Sequence, residues 1–334
     1  MIRTFSTTGI GSLPHHNAEE ACRLIFDTFD IPFWPQLPNI SFREFMIPQY
    51  SEGMPFLRID PERKTVWLEK NSSDDLERFY EGWTEESRIA ISEDYARGLH
   101  SFIRTIRNRR FDFLKGHITG PLTFTLGLKD SKGKPVYFDE ELREISLMLL
   151  KAKVRWQLDI LKTHAEGVIL FIDEPILSAL GSSSYLGVSS DETLRQLKEV
   201  TGVIRSEGCI SGIHCCGNAD WSLVFKSGAD IINFDAYDYI DTIALYPEEI
   251  TGFLKKGGYL AWGIVPTSDS INSENPESIR IRFYKGIEKL SGKVPESLIL
   301  SHMLLTPSCG TGSRTVEETL KVFQLIMRLK EALA

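Results

Sequence analysis

Two short motifs far apart in this 334-residue chain carry the residue types best suited to chemistry: His214-Cys215-Cys216-Gly217-Asn218 and Thr306-Pro307-Ser308-Cys309-Gly310. His214 and Cys216 are two positions apart, a spacing that turns both side chains to the same face of an extended strand. Cys309 would add a second thiolate from another strand end. A His-Cys-Cys set suits zinc and leaves a fourth position open, which is the arrangement of a catalytic rather than a structural site. Soft thiolate and imidazole donors do not suit magnesium or calcium. Such a site is better fitted to holding a substrate thiolate than to making hydroxide, because a metal-bound thiol loses its proton and the thiolate is the nucleophile. The chemistry indicated is alkyl transfer to sulfur. A His-x-Cys pair alone also fits ordinary packing; a third ligand beside Gly310 is what sets this one apart. Cys22, inside a helical stretch, and Cys209, at the start of a strand, read as core residues.

Other polar residues fall at strand ends. Asp173-Glu174 closes a very apolar run, Val168-Ile-Leu-Phe-Ile172. Carboxylates there must meet cations or backbone donors, and a ligand ammonium is the expected partner. Gly9-Ile10-Gly11-Ser12 offers backbone amides that could hold a ligand carboxylate. Asp235, closing Asn233-Phe-Asp235, is a candidate fourth ligand, an orienting group, or a plain loop cap. His302, late in a predicted strand, is a candidate catalytic residue lining the interior. His117 reads as a core histidine. Together these residues suggest an amino-acid thiol lying across the mouth of a barrel.

The elements that must position them follow a regular rhythm. Strands are expected near 116–121, 167–173, 209–215, 230–235, 258–264 and 298–303. Helices are expected near 139–165, 190–207, 219–227, 240–256, 275–291 and 313–332. Apolar strands alternating with amphipathic helices imply a parallel sheet covered by helices. Thr7–Ser12 before a helix at 17–29, and Pro32–Gln36, supply two further units. Eight units predict a single (β/α)8 TIM barrel spanning 1–334, whose catalytic groups gather at the C-terminal ends of the strands. Residues 38–115 break the rhythm and read as an insertion after the second strand: a hairpin over 56–68 turning at Asp60-Pro61, then a long helical stretch over 74–110. No Gly-x-Gly-x-x-Gly turn follows a strand, which argues against a dinucleotide fold.

Bulk properties exclude several classes. The chain is 42% hydrophobic and 25% charged, with net charge −8. That mild acidity, with no basic stripe, argues against nucleic acid. No apolar run approaches the roughly 18 residues of a membrane span, and the first residues lack a signal-peptide core. Five cysteines without a secretion signal point to reduced thiols in the cytoplasm.

Five motifs in order, Thr7-Thr-Gly-Ile-Gly-Ser-Leu-Pro14, Ile118-Thr-Gly-Pro-Leu-Thr123, Ile172-Asp-Glu-Pro175, His214-x-Cys216 and Pro307-Ser-Cys309-Gly310, resemble the catalytic barrel of cobalamin-independent methionine synthase, over about 6–332. The His214–Asn218 form is also similar to the zinc motif of corrinoid:thiol methyltransferases; all belong to the superfamily that includes uroporphyrinogen decarboxylase. The resemblance implies a cytoplasmic zinc methyltransferase of methionine biosynthesis. His214, Cys216 and Cys309 match the Zn2+ ligands, and Asp235 stands where the family has a glutamate ligand. Asp173 matches the residue that binds the homocysteine amino group, and Ile10 and Ser12 the backbone contacts to its carboxylate. The family's folate-stacking tryptophan falls near Gly127, and its His-Gly-Glu segment reads Pro35-Gln-Leu-Pro38. The expected donor therefore moves from methyltetrahydrofolate toward a methylcorrinoid, free or carried on a partner protein. The rival readings are a metal-free porphyrinogen-type decarboxylase and a non-catalytic corrinoid- or zinc-binding module.

Overall fold

The computed structural model describes residues 2–70, 74–182 and 185–333. Its strands are β1 (Ser6–Thr7), β2 (Leu57–Asp60), β3 (Thr65–Leu68), β4 (Phe111–Thr119), β5 (Lys129–Asp130), β6 (Ala165–Asp173), β7 (Ile210–Cys215), β8 (Ile231–Asp235), β9 (Tyr259–Val265) and β10 (Met303–Pro307). Seven of them form one curled, all-parallel sheet in the order β1-β10-β9-β8-β7-β6-β4. Nearly every residue of β6 to β10 is buried, as expected of parallel strands covered on both faces.

The connections are helices, and the sequence marks their ends. Asn17 caps Ala18–Thr28 through the amides of Glu19 and Glu20. Asp139 caps Glu140–Lys162 through Leu142, and Asn275 with Ser278 forms a capping box on Pro276–Ser291. Proline splits the stretch expected as one helix at 240–256: Ile240–Ile243 ends, and a new helix starts at Pro247.

Two apolar layers result. The larger packs the helices onto the outside of the sheet. The smaller lines the inside of the curl and contains Ile10, Ile31, Ile169, Phe171, Ile231, Ala261 and Leu304. The inner residues lie in register rows. One row runs Thr119, Asp173, His214, Asn233, Ala261, Leu304, Ser6 across the seven strands. Adjacent members stand on strands roughly 4.8 Å apart.

Three expectations change. Residues 32–36 form no regular strand, only isolated bridges, Phe33 to Lys115 and Ser12 to Gln36. Pro32 and Pro35 lack the N–H that a ladder needs. The segment still bonds to both sheet edges: Lys115 N of β4 donates to Pro32 O (2.8 Å) and Ile31 N donates to Thr7 O of β1 (3.1 Å), while Gln36 N donates to Gly11 O (2.9 Å). Residues 298–303 are not a strand. Glu296–Ser301 is a helix led by Pro295, and β10 begins only at Met303. The long helix expected over 74–110 is two short ones, Asp74–Tyr80 and Arg97–Ile106, and 111–115 already belongs to β4. The hairpin at 56–68 is present as β2 and β3, antiparallel with Leu57 opposite Leu68, and β5 joins β3 in a separate small sheet.

Candidate metal centre

His214 lies at the C-terminal end of β7, Cys216 just beyond it and Cys309 in the loop after β10. One ligand atom from each falls within 4.8 Å of the others, which makes this trio the group among the described residues that could hold a metal ion. Local backbone produces the arrangement. Along the end of β7, Cys215 is fully buried on the opposite side from His214 and Cys216. In β10 the register slips between Thr306 and Pro307, an irregularity of the kind that re-aims side chains at strand ends. The loop that follows is tied down on two sides. Ser308 N donates to Val265 O (2.8 Å), and Thr311 N donates to Ser12 O (2.8 Å). A Cβ at Gly310 would lie 2.2 Å from Ser12 Oγ and 3.3 Å from Ser12 N, so a larger residue there would force the Ser12 hydroxyl to move as the Cys309 loop packs on the Gly9–Ser12 segment.

His214 is buried, and its Nδ1 bonds Asn233 Oδ1. The Asn233 amide nitrogen donates to Ala261 O (2.8 Å) and Thr306 Oγ1 (2.8 Å). His214 Nε2 is buried with no hydrogen-bond partner. Burial lowers the basicity of this ring, but the Cys216 sulfur and the Asp173 carboxylate outweigh it, and the pKa ends above its ordinary value. The Cys216 thiol is pulled down to about 4, first by a hydrogen bond from Cys309 and then, against burial, by His214. Cys309 is pushed up by the same contact and by burial. One thiolate, one neighbouring thiol and an imidazole close to both are a fit donor set for zinc.

Asp173 adjoins His214 in the register row. It is buried, its Oδ1 has no partner, and burial raises its pKa against the opposing pull of His214 and Lys115. Glu174 is placed differently. Its carboxylate accepts from Leu122 N (2.9 Å), Thr123 N (2.9 Å) and Thr123 Oγ1 (2.6 Å), at the start of the helix Pro121–Gly127. Of the two adjacent carboxylates, Asp173 is the one with an oxygen that has no hydrogen-bond partner. Asp235 is one pleat above Asn233. Its Oδ1 accepts from Asp238 N (2.9 Å), and burial leads the shift of its pKa to about 7.

His302 does not reach the site. It precedes β10 at the end of a helix, its Nδ1 facing Ser301 Oγ (2.9 Å) and Leu298 O (3.3 Å). Catalytic groups of such folds gather at the opposite strand ends, so its candidacy came from the misplaced strand. Ile10 is buried in the inner layer. Gly11 packs on His117, where a Cβ would lie 2.9 Å from the ring.

Sequence reasoning missed two interior groups. Lys115 is fully buried, its Nζ has no hydrogen-bond partner, and it lies 4.4 Å from the Phe171 ring centroid and 5.3 Å from that of Phe33. His117, stacked on Trp34 at 3.7 Å, has no partner for either ring nitrogen, unlike the satisfied core histidine expected. A signal was present: polar residues at alternate positions in Lys115-Gly-His117-Ile-Thr119, on a strand otherwise buried.

No protein-family model and no curated protein matches the chain. Among solved structures, it is similar to a B12-independent methionine synthase from Shewanella sp. W3-18-1 in complex with selenomethionine. The TM-score is 0.64 at 14% identity, covering 99% of this chain and 98% of that one. The shared fold runs over the whole chain, in agreement with the motif resemblance. A GH26 endo-β-1,4-mannanase catalytic domain from Bacillus sp. JAMB-750 aligns over 71% of this chain at 14% identity, covering 70% of that one, with a TM-score of 0.42.

Proposed function

We propose that this chain is a zinc-dependent methyltransferase that moves a methyl group onto a thiol, with homocysteine as acceptor and methionine as product. The observation that carries the reading is the convergence of His214, Cys216 and Cys309 in a fold shared from end to end with a methionine synthase. We read the sheet as a closed (β/α)8 barrel, supported by the backbone bonds from residues 31–36 to both of its edges.

His214 Nε2 and the two sulfurs would hold the ion. When bound, zinc supplies the positive charge that lets an acceptor thiol stay deprotonated at neutral pH. The chain's own residues position the rest. Asp173, with an unpartnered oxygen in the same row as His214, receives the acceptor's ammonium. The amides of Ile10, Gly11 and Ser12 face its carboxylate. Asp235 lies at the level of Cys216, as a fourth ligand or an orienting group. The acceptor sulfur lone pair forms the new bond to the methyl carbon as the bond from that carbon to the donor breaks, and the donor keeps the electron pair. The donor is read as a methylcorrinoid, free or protein-borne, before methyltetrahydrofolate. We place the enzyme in the cytoplasm, acting on small molecules; no helix among the described residues is long and apolar enough to cross a membrane. Residues 38–110 are read as an arm inserted between the 32–36 segment and β4.

The decarboxylase reading needs unpaired arginines to hold several carboxylates. Arg3 faces Asp112 (3.5 Å) and Arg43 faces Asp94 (3.7 Å), so no observation favours it. The test is turnover: zinc-loaded protein with homocysteine and either methylcobalamin or methyltetrahydrofolate, with methionine read by mass spectrometry. Methionine formed from methylcobalamin is the expected result. None from either donor, with zinc bound, would overturn the proposal.

A further inference from the structure

We infer that Asn233 is the positioning residue of the metal centre. It fixes His214 in the tautomer that turns the Nε2 lone pair toward Cys216 and Cys309, and it ties that ring to the strand that delivers Cys309. The inference rests on the zinc reading above.

The amide's orientation follows from its partners. One end of Asn233 faces the backbone carbonyl of Ala261 at 2.8 Å and Thr306 Oγ1 at 2.8 Å. A carbonyl oxygen can only accept, so the group facing it must be the NH2. The other end, Oδ1, then faces His214 Nδ1 and can only accept as well. The proton of that bond therefore sits on Nδ1. A neutral imidazole carries one N–H, which leaves Nε2 with its lone pair exposed to the site. Nε2 is buried and has no hydrogen-bond partner. Outer hydrogen bonds of this kind set the tautomer and orientation of metal-binding histidines.

The second half of the role comes from topology. Asn233 lies on β8, between His214 on β7 and the β9–β10 pair. Its bonds reach His214, Ala261 of β9 and Thr306 of β10, and Thr306 precedes the Cys309 loop in the same motif. One buried side chain thus contacts the strand of the imidazole ligand and the strand of the distant thiolate. Its own position, 0% exposed, keeps water from competing for any of the three bonds.

The test uses zinc-loaded full-length chain. Nitrogen-15 histidine spectra should show His214 protonated at Nδ1 and metal-bound through Nε2. Zinc affinity, from competition with a chelator, should fall roughly 10- to 100-fold in Asn233→Leu and by less in Asn233→Asp, which keeps the acceptor for Nδ1 but loses the donor to Ala261 and Thr306. Zinc bound through Nδ1, or a folded Asn233→Leu whose affinity matches the parent, would overturn the inference. The parent spectrum decides the matter even where the leucine variant fails to fold. Failure of the metal reading is distinguishable, because the parent itself would then not take up zinc; a chain that binds zinc as described but makes no methionine would defeat only the proposed reaction.

Discussion

Asp173 and His214 are register partners on the neighbouring parallel strands β6 and β7, so a carboxylate with an unpartnered oxygen stands beside the imidazole of the metal trio. On the proposed reading, this pairing would put a charge for an ammonium group next to the place for a sulfur. An amino-acid thiol fits that separation of functions: one end is bound by charge, the other by the metal.

Replacing Asp173 with Asn keeps the shape and removes the charge. A hydrogen bond to a charged group contributes about 1.5–3 kcal/mol, so kcat/KM for homocysteine should fall by roughly 10- to 100-fold. Zinc content should not change. An unaltered kcat/KM in steady-state assays would remove Asp173 from the acceptor site.

Cys309→Ala should abolish zinc binding and methyl transfer together, because the two remaining donors come from one strand end. Metal analysis after dialysis checks this. Stoichiometric zinc in the variant would show that the ligand set is wrong.

Proton release on zinc binding should report the unequal thiols. Cys216, pulled down to about 4, is already ionised at neutral pH and releases nothing. Cys309, held above the ordinary thiol range, must lose its proton to bind. His214, whose pKa is raised, adds release as the pH is lowered. Calorimetry in buffers of different ionisation enthalpy should therefore give about one proton per zinc at pH 8, rising at pH 6. A value near two at pH 8 would mean that both thiols start protonated.

Glu44 offers a test of stability against pH away from the centre. It is fully buried, its carboxylate accepts from Leu37 N (3.1 Å) and Arg97 N (3.1 Å), and burial raises its pKa to about 7. A carboxyl whose folded-state pKa is raised favours folding below its unfolded value, and that advantage is lost as pH climbs through the folded value. Between pH 5 and 8 the melting temperature of Glu44→Gln should therefore gain on the parent, by up to roughly 3 kcal/mol of stability. Parallel melting curves would contradict the buried-carboxylate account.

Much of this was legible in the sequence because strands repeat every two residues. That period put His214 and Cys216 on one face, and Gly310 marked Cys309 as a loop residue at a strand end. Other features depend on contacts between elements that no single segment encodes. Glu174 looks like half of a ligand-binding pair until the helix at Pro121 is seen against it. Asn233 reaches its partners only through side-chain bonds to three other strands, at His214, Ala261 and Thr306. Leu298-Ile-Leu reads equally as helix or strand, a short apolar run that periodicity cannot resolve, and the error carried His302 into the site. Lys115 lies on a strand read too short, starting at 116 rather than 111.

X-ray absorption at the zinc edge, with and without homocysteine, tests the central claim most directly. The account predicts a single zinc bound by one imidazole and two sulfurs, from His214, Cys216 and Cys309, with a third sulfur appearing when homocysteine is added. A sulfur count unchanged by homocysteine would contradict it.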